Sequence, residues 1–594
     1  MRRICLLLLM GLLAAPACRE RPRSGGGGAP LVPTPLAHPD GGARDATDPR
    51  MRLDDLVHEH LEAMWSESPT TATWMGVHTY DDRLDDLSPE SVARRVGRLQ
   101  GAFERLEAIP VAPLDAQRRL DRALLERDLR LALFDLVTEK GAERNAVRPV
   151  VIVAAGIEEL LERDWAPLNE RLRLVALRLR RVPTLLEDSR RSLKAPPEVF
   201  TRRAIDMATS TRAWIAETLP HLVALLGDDK LAVDVRAAQA DALVALDEWL
   251  GWAQKDLLQR SKGDAALGKE RLQERLRLTE GVEMPIDKLL PIAERELKQA
   301  KRAFEDAAHL VAPGKTPADA LRAIEDDHGK AEELIPSATA DLDAAIAFAR
   351  DHHIVTLPDA RPKVAEMPPF QWGHVSMTLW GPFEPRVQGA WFYIEPVDLT
   401  WIPKTRDEHL RALPRPQLLL STVHEAFPGH FVQGEAQRRA PSPMQKAARS
   451  ESFVEGWADY IEQAMVEQGY GGGDARVRLV LAREQLMRAA RLAGGLRFHG
   501  ANVKLDDIVR MFDDDAYLDE LGARREAERV AVDPACLEPA LGRLIILKLR
   551  DDYRREKGDA FTLRDFHDRL LAHGAPPPAL TRALLLSNPE GDPL

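Results

Sequence analysis

Cysteine is nearly absent from this chain. Only Cys5, Cys18 and Cys536 occur among 594 residues. That count argues against an internal disulfide framework, and it excludes a zinc site built from cysteine. Aromatic residues make up only 5% of the chain, which leaves little material for a carbohydrate-binding surface. No apolar run is long enough to span a bilayer. Neither sign of charge dominates: 82 basic residues are interspersed with 94 acidic ones, and the net charge is −12. This mixing argues against a dedicated nucleic-acid surface. No repeat of fixed period is convincing.

What is present begins with an export signal. Arg2-Arg3 form a basic start, and Ile4 to Leu13 an apolar stretch too short to span. Ala15-Pro-Ala17 then precedes Cys18. Two readings stand side by side: cleavage after Ala-x-Ala to leave a soluble protein, or lipidation of Cys18 and attachment to a bacterial membrane. Residues 1–18 are thus read as the signal. Residues 19–50, rich in Gly, Pro, Arg and Asp and containing Gly25-Gly-Gly-Gly28, are read as a disordered tether. Residues 51–350 carry Leu, Ala and Val at three- and four-residue spacing, as in Leu172 to Arg181 and Ala238 to Trp252. They are expected to form a helical N-terminal lobe, broken near Ile109-Pro110 and Ala195-Pro-Pro197. Residues 351–594 are expected to form the lobe that carries the chemistry. Within it, Ile354-Val-Thr-Leu357 and Gln388 to Glu395 read as strands of a small sheet, and everything from Pro416 onward reads as helix. His58-Glu-His60 is taken as surface. The expected fold class is mainly α: a large helical zincin-like domain with a small β-sheet next to the metal-site helix.

The most informative stretch is Ser421-Thr-Val-His-Glu-Ala-Phe-Pro-Gly-His430, followed by Glu455-Gly-Trp-Ala-Asp459. Zinc catalysis wants about three protein ligands and one open position. His424, His430 and Glu455 supply the ligand types, and Glu425 supplies a base for the attacking water. The histidine spacing is unusual. On a straight helix, residues six apart lie roughly 120° apart around the axis and about 9 Å along it. They could not share an ion there. Pro428-Gly429 offers the remedy, because proline removes a backbone donor and glycine permits unusual dihedrals. A break there is expected to turn His430 back toward His424. Glu455 and Asp459 are four apart and share a helix face. Glu455 is the ligand candidate, and Asp459 is expected to accept a hydrogen bond from the free ring nitrogen of a ligating histidine.

These residues resemble a bacterial family named for its domain of unknown function 885, which is similar to helical zinc metallopeptidases of the gluzincin kind, such as angiotensin-converting enzyme and thermolysin. The matching residues are His424-Glu-Ala-Phe-Pro-Gly-His430 with Gln433, and Glu455-Gly-Trp-Ala458. Supporting matches are Ser68 to Gly76 and Tyr80-Asp-Asp-Arg-Leu84 near the start, and Leu541 to Arg550 and Phe566 to Gly574 near the close. The resemblance covers roughly residues 51–594. It implies His424, His430 and Glu455 as metal ligands, Glu425 as general base and Asp459 behind the ligands. Relatives often carry a tyrosine where this chain has Pro539, which leaves the oxyanion role open. His499 is the candidate substitute, with Tyr393 and Tyr460 as further ones.

The leading expectation is an exported zinc-dependent metallopeptidase that cleaves short peptides, with Zn²⁺ as cofactor and a peptide or small amide as partner. Two others remain: a metal-dependent amidase or esterase on non-peptide substrates, and a catalytically impaired envelope lipoprotein with a binding role. Substrate, cleavage mode and oligomeric state are not readable from the sequence.

Overall fold

The computed structural model describes residues 47–368, 374–387, 389–589, 591 and 593–594. Cys18 and all but the end of the expected tether lie outside them. The described chain is predominantly helical, with one small sheet. None of its helices is long and apolar enough to cross a membrane.

The N-terminal helices start where sequence chemistry allows. Asp48 caps the helix Pro49–Glu67 by accepting from Arg50 N–H, and proline occupies the first turn, where its missing donor costs nothing. Helices α1 (Val147–Glu162), α2 (Glu198–Ala224) and α3 (Asp229–Trp252) pack around Leu160, Ile215, Leu246 and Trp249, all excluded from solvent. The breaks at Ile109-Pro110 and Ala195-Pro-Pro197 fall between helices, as the prolines require.

Packing crosses chain position 350 in both directions. Helix α4 (Ile286–Val311) shares a core with α9 (Ala475–Gly495) through Leu297, Phe304, Leu486 and Ala493. A separate core joins residues 334–355 to the sheet and to the helices that carry the motif.

That sheet has three strands, β1 (Lys363–Glu366), β2 (Val375–Met377) and β3 (Trp391–Ile394), in the order β1-β3-β2. Strand β3 runs parallel to β1, with Val364 opposite Phe392, and antiparallel to β2, with Met377 also opposite Phe392. Phe392 and Ile394 point into the core with Val423 and Phe427, while Trp391 and Tyr393 stack on the other face. This is the period-two alternation of a strand buried on one side. Of the expected strand Gln388 to Glu395, Trp391–Ile394 form β3, which is paired on both sides, so the sheet's edges are β1 and β2; Gln388 lies outside the described residues.

Ile354 to Leu357 is not a strand. It follows the C-terminus of helix Leu334–Asp351, and its backbone is committed elsewhere. The Ile354 carbonyl accepts from His567 Nδ1, and Thr356 N–H donates to Asp568. Side chains, not a neighbouring strand, satisfy these two backbone groups.

Helices α5 (Pro403–Arg411), α6 (Arg415–Glu425), α7 (His430–Arg438), α8 (Glu451–Glu467) and α10 (Glu538–Lys557) complete the frame of the site. Helices α8 and α10 cross at glycine. A Cβ on Gly542 would sit 1.8 Å from the Ser452 carbonyl oxygen, and one on Gly456 would sit 2.7 Å from the Gly542 backbone. Only residues without a side chain let the two backbones approach this closely.

Candidate metal centre

Helix α6 opens with Pro416 in its first turn and buries Leu418, Leu420 and Val423. That apolar face fixes the orientation of His424, the last residue but one of the helix. The helix stops at Glu425, Ala426 leaves helical geometry at φ −104° and ψ −85°, and α7 begins at His430. Gly429 lies so close to the preceding turn that a Cβ would stand 1.8 Å from the His424 carbonyl oxygen. Glycine is therefore obligatory there, and the fold-back brings the His424 and His430 rings to 4.8 Å between centroids, with planes 88° apart. The six-residue spacing is accommodated by a broken helix.

Helix α8 brings the second half of the motif. Ser450 caps it by accepting from Phe453 N–H. Trp457, fully buried, donates its indole N–H to the carbonyls of Pro428 and Gly429 at 3.1 and 3.3 Å. The Glu455-Gly-Trp motif is thereby tied to the Pro-Gly break, and the two halves of the sequence pattern hold one another. Glu455 Oε2 lies 3.8 Å from His424 Nε2, and its Oε1 lies 3.7 Å from His430 Nε2. One ligand-type atom from each of the three residues falls within 4.8 Å of the others. Glu425, the last residue of α6, is half-buried beside His424.

Two residues that the sequence reading did not single out complete the surroundings. Glu462, not Asp459, makes the hydrogen bond with His424 Nδ1. Asp459 Oδ1 stands 3.9 Å from that nitrogen and 2.9 Å from Arg488 Nε, and the Arg488 guanidinium also reaches Glu462 at 3.4 Å. Glu455, Asp459 and Glu462 are spaced i, i+4 and i+7, which puts all three on one helix face. Acids at that spacing on an otherwise apolar, buried helix were the available signal. Arg488 comes from α9 and had no local signal.

Electrostatics follow from this crowding. Burial alone would lower the His424 imidazole, but the charge of the Glu462 carboxylate, the neighbouring Glu455 and the hydrogen bond with Glu462 override it and hold it well above its ordinary value. Burial also opposes charge on Glu462, yet Arg488 and His424 flank it and keep it below the usual glutamate value. Asp459 is less compensated, and burial pushes it up to about 6. Three carboxylates and one guanidinium surround two imidazoles, so the site favours added positive charge. A borderline dication suits two imidazole nitrogens and a carboxylate. Glu462 on Nδ1 leaves Nε2 of His424 free to ligate, the arrangement by which a carboxylate orients a metal-binding histidine. The residues present thus fit a zinc ion.

The other candidates do not join this cluster. His499 is a core histidine: Nε2–H donates to the Val530 carbonyl at 2.8 Å, and Nδ1 accepts from Leu267 N–H at 3.4 Å. With both ring nitrogens bound to backbone it has no proton to exchange, and burial pushes it down to about 4. The catalytic role expected of it is therefore withdrawn. Tyr460 is equally buried and hydrogen-bonded to His567 Nε2 at 2.8 Å. Tyr393 lies half-buried on β3, beside Trp391. Pro539 occupies the first turn of α10, in the core. His60 is not on the surface; it is buried, with Nε2 2.6 Å from Asp128.

With the site in view, comparison places the chain in a class and then in a family. It has the fold of two solved bacterial proteins. One, described as a candidate lipoprotein of unknown function from Shewanella oneidensis, is 20% identical, with a TM-score of 0.75 over 90% of this chain and 100% of that one. The other, a candidate lipoprotein from Colwellia psychrerythraea, is 17% identical, with a TM-score of 0.73 over 90% of this chain and 98% of that one. The chain belongs to the DUF885 family of bacterial proteins of unknown function, whose pattern matches residues 69–585. No curated protein matches it significantly.

Proposed function

We propose that this protein is an exported, zinc-dependent hydrolase of peptide bonds, acting on short peptides. The observation that carries the reading is the convergence of His424, His430 and Glu455, with Glu462 on the far nitrogen of His424. Zinc bound there supplies Lewis acidity and a water of lowered pKa. His424 and His430 bind through Nε2, and Glu455 through its carboxylate. Glu462 holds the His424 ring in the ligating tautomer, and Arg488 balances the buried carboxylates. Glu425 accepts a proton from the attacking water and passes it to the leaving nitrogen. Export rests on Arg2-Arg3 and the apolar stretch to Leu13. Attachment through Cys18 draws support from the lipoprotein descriptions of both structural neighbours.

The test is metal content by mass spectrometry together with hydrolysis of a mixed peptide library. His424→Ala and Glu455→Ala are each expected to lose one zinc equivalent per chain. Glu425→Gln is expected to keep it while turnover falls by roughly 10²- to 10⁴-fold. Equal metal content in wild type and both ligand variants would refute the metal site. Zinc at the site without cleavage of any peptide would leave an amidase or esterase, or a binding lipoprotein.

A further inference from the structure

A second group of ligand-type side chains lies at one end of the sheet and shares no residue with the first. His374 directly precedes β2, Glu395 directly follows β3, and His409 comes from the last turn of α5. One ligand atom from each falls within 4.8 Å of the others. His374 Nδ1 is 3.0 Å from Glu395 Oε2, and His409 Nδ1 is 3.7 Å from the same oxygen. The two rings stand 5.3 Å apart, at 69°.

The hydrogen bonding indicates what this oxygen faces. His409 Nε2 lies 3.3 Å from the Glu395 carbonyl, which can only accept. Nε2 therefore carries the proton, and in the neutral ring Nδ1 keeps its lone pair 3.7 Å from Glu395 Oε2. A lone pair beside a carboxylate is repulsive unless a cation lies between them. His374 Nδ1 is buried and, among the described residues, has no hydrogen-bond partner, although Glu395 Oε2 is only 3.0 Å away. The approach is close but wrongly directed for a hydrogen bond. Two ring nitrogens and one carboxylate oxygen thus lie close together without hydrogen-bonding to one another. The backbone carbonyl on the far nitrogen of His409 is the usual partner of a metal-binding histidine.

We propose that His374, Glu395 and His409 form a second site for a borderline divalent metal such as zinc, independent of the first. The ion ties the end of the β2–β3 pair to α5. Because α5 leads into α6 through Ala412-Leu-Pro414, this tie fixes the approach of the helix that carries His424. The His409 side chain is nearly buried while His374 is 43% exposed, so one side of the site stays open to solvent and to exchange of the ion.

The experiment uses the full chain carrying His424→Ala and His430→Ala, which removes the first site, so failure here and failure of the proposed function are distinguishable. Zn²⁺ is titrated by calorimetry, and Co²⁺ by its visible absorption. The expected result is one equivalent of Zn²⁺ bound, a Co²⁺ spectrum with nitrogen and oxygen ligands, and a rise in Tm with Zn²⁺. Adding His374→Ala, a change at a half-exposed position, is expected to abolish that uptake, and Glu395→Gln to weaken it further than loss of a residue behind a ligand would. No uptake in the chain lacking His424 and His430, or equal uptake with and without His374 and Glu395, would overturn the assignment.

Discussion

Histidines largely shielded from solvent occupy two kinds of place in this molecule, and the contrast identifies the site better than the histidines themselves do. His424 is surrounded by carboxylates, from Glu455, Asp459 and Glu462. His499 and His567 are surrounded by main chain and hydroxyl: His499 bridges Val530 and Leu267, and His567 bridges Ile354 and Tyr460. Burial acts on all three in the same sense, against the imidazolium. At His424 the carboxylates reverse it; at His499 and His567 nothing does, and both are pushed down to about 4. A histidine with both nitrogens bound to backbone or hydroxyl is a neutral core residue. One backed by surplus buried carboxylate marks a place where a proton or a cation belongs.

The contrast breaks most severely if Arg488 is removed. In Arg488→Ala, Asp459 and Glu462 lose the cation between them, and a buried pair stripped of one partner costs about 3–5 kcal/mol. Urea unfolding of the metal-free protein measures this, and a loss under about 1 kcal/mol would mean that the carboxylates are not charged as described.

Acid sharpens the contrast. His499 and His567 bind a proton near pH 6.5 when unfolded but only near pH 4 when folded. Each therefore contributes fully above pH 6.5, and the contribution is lost as pH falls toward 4, by about 3 kcal/mol per histidine. His567→Gln is expected to remove about one proton from the pH dependence of unfolding in that window. An unchanged slope would show that His567 is not held neutral.

The smallest effect separates the two carboxylates behind His424. Glu462→Gln is expected to weaken zinc binding by about 10- to 100-fold, and Asp459→Asn by less, because only Glu462 bonds Nδ1. Isothermal titration gives both numbers. A larger loss in Asp459→Asn than in Glu462→Gln would return the orienting role to Asp459.

Much of this was legible along the chain because it is local. The reading of helix from Pro416 onward covered both α6 and α8. Pro428-Gly429 announced the break, since those two residues act on their own backbone. Glu462 was legible and passed over: its spacing from Glu455 and Asp459 was in plain view. Ile354 to Leu357 misled, because β-forming composition does not reveal that His567 and Asp568, more than two hundred residues away, will claim its backbone. His499 misled in a different way. The family resemblance offered it in place of the tyrosine missing at Pro539, but Val530 and Leu267 bind its ring from either side.

The sequence by itself determined the helical class, the helix break and the kinds of atom available to hold a metal. Caps, breakers and periodic apolar faces act within a few residues of where they stand. Only the tertiary structure decided which acid orients His424, that Arg488 balances the buried carboxylates, and that Trp457 ties α8 to the Pro-Gly turn. It also decided that Gly456 and Gly542 admit two backbones at contact distance. Burial and charge pairing depend on elements that meet across the fold, and no spacing along one helix specifies what will pack against it.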